Sequence, residues 1–168
     1  MVKSSRMQDY MQTVLGRLEY EHYDIKSNIT YKGQVFDYVA KRLMFEISKP
    51  AFFHKYFIFS KFHSLDTDIL RTYSTKSLNF AIKTSPISLV RGLLCGIVCY
   101  SIAIVDTLDT SITERIRSKA PPYHWFAYEM PVVYSLESDE LYYCGRGPWW
   151  GGLYYDEMRF TINYMLAP

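Results

Sequence analysis

The sequence predicts an α+β domain, a small mixed or antiparallel sheet of about four strands covered by helices. Three observations carry this expectation. Runs of aromatic and β-branched residues suited to strands alternate with segments whose apolar residues recur at helical steps. The last third reads as a hairpin, Tyr123 to Leu136 and Glu140 to Cys144 around a turn at Glu137-Ser138-Asp139, so at least part of the sheet is antiparallel. Composition is globular, with 49% hydrophobic and 21% charged residues in a chain of 168, and residues 1–168 are expected to form a single domain around one core.

The elements follow in order. Lys3 to Tyr23 favours a helix, with Met7, Met11, Val14, Leu15 and Leu18 at three- and four-residue steps. Asp24 to Gly33 reads as a polar turn containing a short strand, Asn28 to Tyr31. Residues 34–48 admit two readings. Phe36, Val39, Ala40, Leu43, Met44 and Ile47 fill a helical stripe, whereas an alternating strand puts Asp37 and Lys41 on the buried face, so the count favours a helix ending before Pro50. Ala51 to Phe62 is dense in aromatic residues between Pro50 and the polar His63-Ser64, and is expected to be a strand.

A helix should follow, begun by Asp66 or Thr67 and running towards Pro86. The pattern then recurs. The apolar run Leu93 to Val105 leads into Leu108-Asp109-Thr110, matching Leu65-Asp66-Thr67, and into a second helix cut off by Pro121-Pro122. Ser111-Ile112-Thr113-Glu114 has capping-box spacing, so Ser111 is the expected cap. Either a duplicated β-α unit or a shared turn chemistry explains the two junctions, and the use of Asp and Thr at helix N-termini favours the second. A final helix is expected over Leu153 to Leu166.

Composition narrows the function classes. Net charge is only +2 and the longest basic run is Lys41-Arg42, so the phosphate-neutralising patch that drives nucleic-acid affinity is unsupported. The apolar run from Gly92 to Val105 is shorter than the roughly twenty residues that cross a bilayer, and no membrane association is expected. The cysteine count is odd, at 3, and Met1 to Ser5 carries no charged-then-apolar leader; both favour a reducing cytoplasm. Cys95 and Cys99 lack the neighbouring ligands that a zinc site needs, and no phosphate-cradling motif is present, so neither metal nor cofactor is expected. The 16 tyrosines and 10 phenylalanines mark either a binding surface or a Tyr-rich sheet whose hydroxyls reach water.

Two places could carry function. Gly145 to Gly152 has glycines that let backbone approach a ligand, with Arg146, Trp149, Trp150, Tyr154 and Tyr155 as stacking and binding groups. The alternative is a loop that folds its tryptophans over the core as a lid. In the second place His124 and Glu129 could form a proton-transfer pair, although five residues along an extended strand put them on opposite faces. Cys144, beside Arg146, could act with His124 across the hairpin as a thiol nucleophile. The function expected from these residues is a non-catalytic binding or protein-interaction domain, self-associating as a homo-oligomer or holding a protein partner. The alternative is a small hydrolase with a site formed by residues 123–129, Cys144 and the Gly145 to Gly152 loop.

Overall fold

The computed structural model describes residues 2–46, 51–85, 95–122, 124–145 and 152–168. The chain is α+β. In order it forms α1 (Val2–Tyr20), β1 (Asp24–Tyr31), β2 (Gln34–Glu46), β3 (Ala51–Phe62), α2 (Thr67–Thr84), β4 (Cys95–Val105), α3 (Thr110–Ser118), β5 (Ala127–Ser135), β6 (Glu140–Tyr143) and α4 (Gly152–Leu166). All the strands join one six-stranded sheet in sequential order. β1, β2 and β3 form an antiparallel meander, β4 and β5 run parallel to β3, and β6 returns antiparallel to β5. No helix among the described residues is long and apolar enough to cross a membrane, and the apolar run that raised the question is the central strand β4 from Cys95 onward.

Alternation along the central strands divides the core into two layers. Phe53, Phe57 and Phe59 of β3, with Tyr100 and Ile102 of β4, meet α1 and α4, whose contributions include Met11, Val14, Leu18, Met158 and Ile162. Tyr56 and Ile58, with Ile97, Cys99 and Ala103, meet α2 and α3 through Leu70, Tyr73, Leu78 and Ile116. Both crossover helices therefore cover the same face. Each begins on an aspartate: the Asp66 carboxylate accepts from the Asp68 and Ile69 amides, and that of Asp109 from the Ser111 amide. Asp109, not Ser111, is thus the cap of α3. The Leu-Asp-Thr junctions do the same job twice, because a short acceptor side chain fits the orphan donors of a helix start.

Two sequence expectations give way here. The sheet has six strands rather than about four, because residues 24–31 form a full strand and residues 34–46 are a strand rather than a helix. The helical count failed because β2 changes face. Phe36 and Val39 both join the α2/α3 layer while Ala40 and Tyr38 lie towards α1 and α4, and strict alternation cannot produce that set. The break falls at Asp37, which is missing from an otherwise regular pairing with β1 and lies opposite Asn28, in the left-handed region at φ 55. The Asp37 carboxylate turns outward to accept the Lys61 amide at 2.7 Å. A strand that switches faces mimics three- and four-residue spacing.

Among the described residues Tyr10, Tyr23, Tyr56, Tyr73, Tyr100, Tyr134 and Tyr155 are core, while the others are partly or fully exposed. Tyr73 reaches the carbonyl oxygens of Ile58 (2.8 Å) and Ile102 (3.1 Å), and Tyr10 stacks on Tyr134 while donating to the Leu166 carbonyl at 3.1 Å. Each hydroxyl thereby satisfies a backbone acceptor inside the fold.

Candidate functional site

On the α2/α3 face a cleft of about 190 Å3 opens between the two helices and the start of β5. Its walls are Leu70, Ile116, Pro121 and Pro131, and its floor carries Ser74 and Glu129. Ser74 lies on the inner stripe of α2 with Leu70, Tyr73, Ser77 and Leu78, where a small side chain lets the helix approach the sheet. Glu129 points to the same face because it stands two residues from Ala127 and four from Val133, both in that core layer.

The floor is a connected polar row. Ser101 Oγ, in the middle of β4, donates to Ser74 Oγ at 3.0 Å, and Ser74 Oγ donates to Glu129 Oε2 at 3.0 Å. The other carboxylate oxygen, Oε1, is 3.4 Å from His124 Nε2. Glu129 is only 3% exposed, whereas the His124 side chain is 35% exposed. The carboxylate thus orients an imidazole that solvent can reach, although His124 itself does not line the cleft. Cys99 is the cross-strand neighbour of Glu129, and burial followed by that carboxylate pushes its thiol well up.

The sequence argument that separated His124 from Glu129 is overturned, since the two touch. His124 precedes the strand, which begins only at Ala127, and a turn at Trp125 and Phe126 lies between. Phe126 is in the left-handed region at φ 51, and the Ala127 amide points back at the His124 carbonyl. This reversal returns His124 over Glu129, so the alternation rule does not apply to the pair.

The cleft's charge comes from its rim. Arg71 of α2, Arg115 of α3 and Lys119 at the end of α3 line it against one carboxylate, Glu129. All three cations are exposed, and none is ion-paired among the described residues.

The other expected site residues lie elsewhere. Cys144 is buried in the core layer of the α1/α4 face, on the other side of the sheet from Glu129. Tyr155 is buried in that same layer, which pushes its phenol up to about 12, and Tyr154 stacks on Tyr128 with ring centroids 4.6 Å apart. Both belong to the first turns of α4, whose inner face packs on the sheet. Arg146, Trp149 and Trp150 lie outside the described residues. Ser74, Ser101 and the three rim cations were not anticipated. Among the described residues, no three His, Cys, Asp or Glu side chains converge as a metal site would require.

Comparison with protein-family models, with curated proteins and with solved structures finds no match to this chain.

Proposed function

We propose that this protein is a non-catalytic binding domain whose ligand sits in the cleft between α2 and α3. One observation carries the proposal: Glu129 is a buried carboxylate, already held by Ser74, that nevertheless lines an open volume of about 190 Å3. Apolar walls with a few convergent polar groups are what small-molecule sites use. The volume equals that of about six water molecules at roughly 30 Å3 each, so the ligand is small. Amide chemical shifts report occupancy directly. Polar fragments should move the signals of Leu70, Ser74, Ile116 and Glu129, and Ala120→Trp, which fills the rim from an exposed lining position, should suppress those shifts. Silence at these amides across a fragment set would end the proposal.

A second reading, a small hydrolase, is favoured by the contact between His124 and Glu129 at 3.4 Å. In it His124 takes the proton of an attacking water while Glu129 holds the ring, and Cys144, on the other face, takes no part. Turnover of a p-nitrophenyl ester or phosphate, lost by a hundredfold or more in both His124→Ala and Glu129→Gln, would establish it. Equal background rates in all three proteins would remove it.

A protein partner or second copy would need a surface of its own. Phe160 and Tyr164, exposed and stacked on α4, support that role. Sedimentation of Phe160→Glu against the parent chain tests it, with an unchanged distribution counting against self-association through this pair.

A further inference from the structure

We infer that the cleft takes a small organic phosphate ester bearing a hydroxyl, an inference that rests on the cleft being the ligand site. The rim supplies the first half of the argument. Arg115 and Lys119 are four residues apart at the end of α3 and so are neighbours, while Arg71 joins them from α2 around one volume. Around this shared volume the three like charges repel one another, and no carboxylate among the described residues pairs with any of them. A single dianionic group between the two helices relieves the repulsion at all three positions. Two guanidinium groups and an ammonium are also the donors that phosphate oxygens accept best, the arginines as forks and the lysine as a point charge.

The floor supplies the second half. Glu129 would repel the same anion, so the charged head must stay at the rim and a different group must reach the floor. Glu129 Oε1 and Oε2 already receive one contact each, from His124 and Ser74, and a carboxylate has acceptor sites to spare. A hydroxyl can donate to it without bringing further charge. The ligand that satisfies both ends carries a phosphate at one end and a hydroxyl a few bonds away.

Calorimetric titration and amide shifts with glycerol 3-phosphate, inorganic phosphate and glycerol test this. Glycerol 3-phosphate should bind and move both rim and floor amides; phosphate should bind more weakly and move the rim alone; glycerol should bind at least tenfold more weakly than its phosphate. Arg71→Gln with Arg115→Gln should weaken glycerol 3-phosphate at least tenfold. Arg117→Gln, which removes an α3 cation stacked on Tyr142 rather than lining the cleft, should leave it unchanged. Glycerol binding as well as its phosphate would overturn the anion while leaving the cleft as a site. Equal weakening by Arg117→Gln would reduce the effect to general attraction and overturn the inference. No cleft shift with glycerol 3-phosphate, while neutral fragments still move the floor amides, would overturn the ligand class alone; silence with every probe would remove the cleft as well.

Discussion

His54 shows how one buried side chain sets a property of the whole chain. Its Nδ1 lies 3.1 Å from Ser85 Oγ and 3.5 Å from the Tyr56 hydroxyl, and burial, with the Lys41 charge behind it, holds the imidazole below its ordinary range. The unfolded chain takes up this proton near pH 6.5 while the folded chain resists it. Below that value the unfolded state binds more protons, so the contribution of His54 is present at neutral pH and is lost as the pH falls through about 6.5 and below. Urea midpoints measured at pH 7 and pH 5 should therefore fall more in the parent protein than in His54→Asn. Parallel pH profiles for the two proteins would show that the folded state accepts the proton freely.

At this same scale the candidate site was half legible. Glu129 stands in an otherwise apolar strand, and Ser101 is set among the apolar residues of β4. A polar group in a strand buried on both faces needs a partner, and that rule alone marks both residues. What the sequence could not show is that Ser74, on a helix, supplies the partner between them. Nor could it show that the turn at Phe126 returns His124 to the carboxylate, because a left-handed bulky residue carries no sequence signal.

Among the elements, those with one dominant period were legible and those with mixed environments were not. α1, β3, α2, β4, α3 and α4 all fall close to their expected spans, since each either keeps one face to the core or, as in β3 and β4, is buried along most of its length. β2 defeated the count because its alternation shifts by one residue at Asp37, so that Phe36 and Val39 bury the same face, and β1 was underestimated because its exposed, polar residues look like a turn. β4 also contains a testable constraint. Gly96 pairs with Phe53 across the parallel β3–β4 ladder, and a Cβ at this position would stand 2.5 Å from the Phe53 ring. Gly96→Ala should destabilise by about 1–3 kcal/mol through overpacking, with much of the loss recovered in the double variant with Phe53→Leu. A Gly96→Ala melt that matches the parent would mean that the ring moves aside at no cost.

For the whole molecule, the sequential strand order has a consequence for local stability. β3 and β4 lie at the centre with both faces covered, while β1 and β6 form the edges, β6 with only 4 residues and β1 with mostly exposed side chains. Amide exchange should accordingly be slowest in β3 and β4 and fastest at the two edges, because opening an edge strand exposes little apolar surface. Edge amides protected as long as those of β4 would point instead to a sheet that opens only as one unit, or to edges covered by another chain. A short edge and a charged one also limit strand-to-strand pairing between molecules.

The polar row from Ser101 through Ser74 to Glu129 has a direction, and that direction matters beyond the cleft. Both hydroxyl hydrogens point towards the carboxylate, so their dipoles are aligned and each bond polarises the next. A group that donates strongly to Glu129 from the cleft draws its charge away from Ser74, and the weakened pull passes back to Ser101 at the centre of the sheet. Were the proposed ligand to donate to Glu129, the row would pass the change in polarisation to Ser101 in the central strand as a short electrical lead, with no atom of the backbone having to move.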